Sequence, residues 1–342
     1  MQNNFLRKLN IIAEIGQSHE GNISLAHSYI DAIYKAGVST VKFQMHFASQ
    51  ESSKQDKFRT KVKYLRDKTR FDYWKRVEFS IDQWRELKKH AESLGLLFLV
   101  SPFSFKAVNI LKKLNVQGWK IGSGELNNFP LIEKIARTKK PIILSTGLSN
   151  YEEIDQTVNL IKNFHENIAL MQCTSLYPCP KEMFGLNVIQ ELKKRYNNLI
   201  IGFSDHSGNL LTSLAAKTLG AEFVEVHVVF DKNISGFDTE SSITIGDLEV
   251  LSKSFKYLKN ILGYKVNKNI INKNLIKNKI LFEKSIILKK NMIPNQKIVL
   301  KNLDFKKPRI GIPAKDFRKI LGKRVNKKKK KGSFLLKNDI LL

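Results

Sequence analysis

The sequence predicts an α/β protein, a (β/α)8 barrel followed by a small β-rich module. Eight short apolar runs each end in a polar residue at the same relative place. They finish at Glu14, at Lys42 with Gln44, at Ser101, Lys120, Ser145 and Cys173, at Ser204-Asp205-His206, and at His227. Helix-like stretches separate the runs, and eight such units in about 260 residues suit a closed ring of parallel strands with chemistry gathered at one mouth.

Each unit reads off in order. Strand one is Ile11–Ile15, closed by Gly16, and Leu25, Ile30, Ile33 and Tyr34 give the following helix its apolar face before Gly37. Strand two is Val41–Gln44. A polar, aromatic-rich insertion from about His46 to Phe79 has no clear periodicity and is a candidate lid. Helix Ile81–Ser93 then leads to strand three, Leu96–Val100, and helix Phe105–Lys113 to strand four, Trp119–Ile121. The second half alternates more regularly. Strands Pro141–Leu144, Ile168–Gln172, Leu199–Phe203 and Phe223–His227 lie between helices Pro130–Thr138, Tyr151–Phe164, Leu186–Tyr196, Leu210–Leu219 and about Ile245–Leu262. The boundaries predict a barrel over 1–263, a basic linker over 264–280 and a β-rich module over 281–342. Within the module Ser285–Leu288, Ile298–Leu300 and Phe334–Leu336 read as strands.

Composition limits the function classes. Apolar residues make up 42% of the chain, and no uninterrupted apolar run approaches the ~18 residues of a membrane span. Met1–Lys8 lacks the apolar stretch of a secretory signal and should enter a strand almost at once. Cys173 and Cys179 are too few for a disulfide framework, so a reducing cytoplasm is the simple reading. The net charge of +28 is lopsided, because residues 264–342 hold 24 Lys and Arg against 4 Asp and Glu. Such a tail could suit an acidic polymer or anionic membrane, and lysine and asparagine drift on solvated faces is the favoured reading. The run Lys327–Lys331 lacks interleaved aromatics, and residues 265–279 mix Asn, Ile and Lys without a motif, so nucleic acid is not the expected partner.

The strand ends carry the chemistry. His206 and His227 end neighbouring strands, about 4.8 Å apart in such a sheet, and two neutral imidazoles there suit a divalent first-row metal. Lys42 and Lys120 sit within apolar runs. Burying two ammonium groups is costly, so an inward pair predicts an anion between them. Ser101, Ser123-Gly124 and Ser145-Thr146-Gly147 supply donors for that anion. Glu125 is placed for proton transfer, Asp238 for a sugar hydroxyl, and Glu14 either faces the mouth or is an ordinary outward residue. The two cysteines read as bland buried thiols, because the sequence names no basic partner for a thiolate.

In chain order, Ile12–Gly16, Val41–Gln44, Lys120–Glu125, Leu144–Gly147, Cys173–Pro178, Ser204–His206 and Val226-His227 resemble the sialic acid synthase family, NeuB-like enzymes. Past the barrel, Lys307–Pro313 resembles the marker of that family's antifreeze-like (SAF) domain. The resemblance implies condensation of phosphoenolpyruvate with an open-chain N-acyl amino sugar, N-acetylmannosamine first, to give a nonulosonic acid and phosphate. It implies His206 and His227 as ligands of a divalent metal, manganese first, with magnesium or cobalt as alternatives. Lys42, Ser101, Lys120, Ser123, Ser145 and Ser204 would bind phosphoenolpyruvate, and Glu125 would manage the proton of the attacking water. Glu14 would lie beside metal and sugar, with Gln44, Ser175, Tyr177 and Asp238 on the sugar. A domain-swapped homodimer would bring Lys307 or Arg309 to the partner's sugar site. Ser175, Lys307 and Phe237 depart from commoner family residues, all on the sugar side, so a legionaminate- or pseudaminate-type product from a deoxy diacetamido sugar stands as the alternative.

Overall fold

The computed structural model describes residues 4–341 apart from 60, 61, 63 and 64, which leaves part of the expected lid and the chain's first and last residues outside the described set. The chain forms two compact units, Met1–Gly263 and Tyr264–Leu342. In the first, parallel strands β1 (Ile11–Glu14), β2 (Thr40–Met45), β3 (Leu97–Pro102), β4 (Trp119–Ile121), β5 (Ile142–Ser145), β6 (Ile168–Cys173), β7 (Ile200–Asp205) and β8 (Val224–Val229) alternate with helices. Hydrogen bonding runs β3-β2-β1-β8-β7-β6-β5-β4, and β3 packs beside β4 to complete a nearly closed (β/α)8 barrel. A short β9 (Ser242–Thr244) adds to β8.

Residue parity sorts the strands. Val41, Phe43, Phe98, Val100, Trp119, Ile121, Ile142, Leu144, Val224 and Val226 face the helices in one large core. Their neighbours Ile12, Leu99, Ile143, Ala169, Met171 and Phe223 fill the barrel interior. Continuing the interior parity one pleat toward the strand ends reaches Glu14, Ser101, Ser145, Cys173, Glu225 and His227, so the apolar floor is roofed by polar groups. Helix starts are fixed by side-chain caps, among them Ser80, Asn150 and Thr69, each in a capping box.

Several expectations need correction. The chain does not enter a strand at once: helix Asn4–Lys8 comes first, and Phe5, Leu6 and Leu9 plug the barrel floor beneath Ile12 and Phe223. At five residues the helix is too short for periodicity to reveal. The insertion after β2 is more regular than its polarity suggested, holding helices Ala48–Glu51 and Arg70–Val77. Its small aromatic core of Tyr73, Trp74 and Val77 with Phe58 and Phe237 explains why these rings are there. The stretch read as a basic linker contains helix Lys273–Phe282.

In the second unit, β10 (Ser285–Leu288) pairs antiparallel with β11 (Leu303–Lys306) over a core including Ile286, Met292, Leu303, Val325 and Leu335. Ile298–Leu300 and Phe334–Leu336 are not strands; a short turn and an isolated bridge replace them. Their apolar residues mark burial here, without a continuous ladder.

Interior packing leaves one testable position in β7. A Cβ on Gly202 would lie 2.6 to 2.8 Å from three ring carbons of Phe223, itself fully buried. Gly202→Ala should therefore destabilise the barrel by about 1–3 kcal/mol, read as a lower urea midpoint at unchanged slope.

Candidate active site

The strand ends converge on a cavity of about 400 Å³ at the carboxyl mouth of the barrel. Thirteen of the sequence-derived candidates line it: Lys42 and Gln44 from β2, Ser101 from β3, Lys120 from β4, and Ser123 with Glu125 just after. Ser145, Ser175, Tyr177, Ser204, His206, His227 and Asp238 complete the set. Glu14 lies directly behind, fully buried, which removes its reading as an outward residue. Lys307 and Arg309 belong to the second unit, where Arg309 pairs with Glu283 at 3.0 Å.

The floor of the cavity is a four-charge cluster. Lys42 forms an ion pair with Glu14, and its Nζ also lies 3.6 Å from Glu225 Oε1 and 3.5 Å from Ser101 Oγ. Lys120 donates to Glu225 Oε1 at 3.0 Å, and Ser204 Oγ donates to the same oxygen at 3.3 Å. The anion that the lysine pair called for is thus, here, the protein's own Glu225 carboxylate. Sequence reasoning assigned Glu225 no role. Its signal was present: an acidic residue in an otherwise apolar strand, two positions before His227 and therefore on the same face.

Burial and charge compete at each member. Burial pushes Glu225 up, but Lys120 and Lys42 outweigh it and hold the carboxyl at about 2. Burial dominates at Glu14, which stays raised despite Lys42. Burial draws Lys42 down, yet Glu14 and Glu225 together carry it above the ordinary value. Lys120 has chiefly Glu225 to oppose its burial and ends lowered.

Opposite the lysines stand the histidines. Ring centroids of His206 and His227 are 5.5 Å apart, with Tyr177 stacked on His206 at 4.0 Å. The Thr174 carbonyl lies 2.8 Å from His206 Nδ1, and Asp238 Oδ2 lies 3.6 Å from His227 Nδ1. The carbonyl behind His206 orients that ring as in ligating histidines and leaves its Nε2 for an ion, while Asp238 stands near His227 Nδ1 without a hydrogen bond. Burial holds His227 neutral, down at about 3, as a ligand must be, whereas at His206 burial is outweighed by Cys173 and the Thr174 carbonyl, which leave it raised. No group of three or more His, Cys, Asp or Glu among the described residues converges enough to hold an ion alone, so water or substrate oxygens would complete the coordination. The residues therefore fit a two-histidine open site.

The outer wall holds groups that the sequence reading passed over. Arg59 binds Asp238 Oδ1 at 2.6 Å and lies 3.9 Å over the Tyr177 ring. His46 is sandwiched between Trp74 and Phe103 at 3.9 and 4.4 Å and holds Glu51 at 2.7 Å. Gln17 donates to Gln44 at 2.8 Å, and Gln44 donates to Glu14 at 3.0 Å. These partners come from distant segments, so no spacing announces them. Cys173 is no bland thiol: its Sγ lies 3.8 Å from His206 Nδ1, and the histidine outweighs burial to leave the thiol lowered. Glu125, half-buried at the rim and bonded by Asn128 at 2.7 Å, is raised by burial. Ser145 Oγ, His227 Nδ1 and Glu225 Oε2 are buried without hydrogen-bond partners, orphans that mark a site built for a guest.

A fold and a site of this kind define a barrel enzyme whose chemistry gathers at the carboxyl mouth. A sequence profile of the NeuB family matches residues 29–267, and the chain belongs to that family. It is 34% identical over 335 residues to the N,N'-diacetyllegionaminic acid synthase of Campylobacter jejuni, covering 96% of this chain and 99% of the relative. It is 36% identical over 260 residues to the human N-acetylneuraminate-9-phosphate synthase, covering 74% and 71% of the two chains. The solved N-acetylneuraminic acid synthetase of Leptospira borgpetersenii, in complex with citrate, superposes with a TM-score of 0.69 at 29% identity, over 79% of this chain and 90% of that one. The chain is accordingly a synthase of the nonulosonic acid class.

His19, just below this wall, carries a pH signature. It is buried against Phe79 at 4.5 Å and accepts from Gly21 N–H at 3.0 Å. Burial first, then the charges of His46 and Arg76, lower it from 6.5 to about 3. The unfolded chain therefore takes up this proton first, and stability is lost as pH falls from about 6.5 toward 3. His19→Gln should lose less stability than wild type between pH 7 and pH 4, measured as the drop in urea midpoint.

Proposed function

We propose that this protein condenses phosphoenolpyruvate with the open-chain aldehyde of an N-acyl amino sugar, in the presence of water, to give a nonulosonic acid and phosphate. The observation that carries this reading is the pairing of a lysine- and serine-lined floor with two histidines across one buried cavity. Lys42, Lys120, Ser101, Ser123, Ser145 and Ser204 bind the phosphoenolpyruvate anion, and their fixed geometry aims its terminal carbon at the aldehyde. Gln44, Ser175, Tyr177 and Asp238 hold the sugar, with Glu14 beside the metal and the sugar. When bound at His206 and His227, a divalent metal, manganese in this proposal with magnesium or cobalt as substitutes, supplies Lewis-acid polarisation of the aldehyde oxygen. Glu125, raised by burial, takes the proton of the water that adds to the former enol carbon. One carbon–carbon bond forms, water's oxygen joins the same carbon that bore phosphate, and phosphate leaves.

N-acetylmannosamine is the first acceptor in this proposal. A deoxy diacetamido hexose is the second reading, favoured by the stacked Phe58 and Phe237 at the outer wall, 5.5 Å apart, which suit a methyl group better than a hydroxyl. We also assign the 281–342 region to the antifreeze-like (SAF) class and place Lys307 or Arg309 at a partner copy's sugar site in a domain-swapped homodimer, as the resemblance implies. A cytoplasmic location suits both free cysteines, and no helix among the described residues is long and apolar enough to cross a membrane.

The test is phosphate release from phosphoenolpyruvate with a panel of neutral and phosphorylated N-acyl hexosamines, with product masses read by mass spectrometry. Release should require phosphoenolpyruvate, sugar and metal together, and His206→Ala should lose more than about 100-fold in kcat/KM. No turnover with any sugar, or full activity of that variant, overturns the reading. Arg59→Ala, which frees Asp238 and Tyr177, should raise the acceptor KM about tenfold or more and leave the phosphoenolpyruvate KM within about twofold.

A further inference from the structure

Glu225 sits in the place where the two lysines should receive a ligand. Its Oε1 gathers Lys120 at 3.0 Å, Ser204 at 3.3 Å and Lys42 at 3.6 Å, three groups that the proposed function assigns to phosphoenolpyruvate. Its Oε2 is buried with no hydrogen-bond partner. A carboxylate oxygen left dry in this way is costly, and the cost is repaid only by what the other oxygen holds. The residue is 3% exposed, on a rigid strand registered against Ser204 of β7 and facing the same interior as His227.

Charge decides what such a group does when substrate arrives. With Glu14 and Glu225 both ionised, the floor is neutral, two ammonium groups against two carboxylates. Phosphoenolpyruvate brings further negative charge beside a buried carboxylate, where screening by solvent is weak and repulsion is strong. We propose that Glu225 is a built-in stand-in for the substrate anion: in the empty enzyme it keeps Lys42 and Lys120 ordered and neutralised, and it must surrender part of both lysines before phosphoenolpyruvate is held. The same carboxylate then favours departure of the phosphate product, since the lysines have an alternative partner waiting. Glu225 on this account is a positioning residue that weakens anion affinity, the opposite of what a residue simply supporting the lysines would do. The inference rests on the phosphoenolpyruvate reading given above.

The experiment uses full-length wild type, Glu225→Gln and Glu225→Asp, with phosphoenolpyruvate and inorganic phosphate as probes in calorimetric titrations and thermal-shift series. Glu225→Gln keeps the shape and removes the charge. It should bind both probes about tenfold tighter or more, and its KM for phosphoenolpyruvate should fall. Glu225→Asp, with its charge drawn back by one methylene, should fall between the two and serves if the glutamine variant does not fold. Weaker or unchanged anion binding in the variants overturns the stand-in role and leaves the function intact. Failure of wild type itself to bind phosphoenolpyruvate overturns the function reading instead.

Discussion

Two lysines and two glutamates buried together at the base of the mouth cavity are the constraint from which the rest of the site follows. An ammonium group in an apolar interior is tolerated only beside an anion, so Lys42 fixes where Glu14 must lie and Lys120 where Glu225 must lie. Those pairings set the register of β1, β2, β4 and β8 at the mouth, because a slip of one residue would turn each charge into the outer apolar core. The histidine pair inherits its position from the same strands. His227 is two residues beyond Glu225, and His206 follows β7, whose Ser204 touches the Glu225 carboxylate.

Much of this was legible in the chain because strand parity is a local property. The sequence places the eight strands within one or two residues, and a polar residue at the end of an apolar run has only the mouth to face. Thirteen candidates accordingly share one cavity. What escaped was long-range or short. Glu225 lay in plain view inside β8, but its importance depends on lysines 105 and 183 residues away, and no spacing rule connects them. Arg59 and His46 act from an insertion whose helices are disguised by charge, their apolar faces being only one turn or two long. The five-residue helix on the barrel floor is below the length at which periodicity carries information.

The basic second unit shows how composition alone misleads. Within Lys327–Lys331, Lys327 and Lys329 hold the buried Asp339 carboxylate at 3.1 and 2.6 Å, so part of the run is structural. Family membership assigns the chain to enzymes, and the charge excess is then a property of its surface.

The plug of Phe5, Leu6 and Leu9 makes the barrel a vessel with one opening. Arg59, Tyr177 and Asp238 line the same cavity as the lysine floor, so guests at the two places are neighbours. The two guests therefore share one chamber, and what fills one end limits the room left at the other.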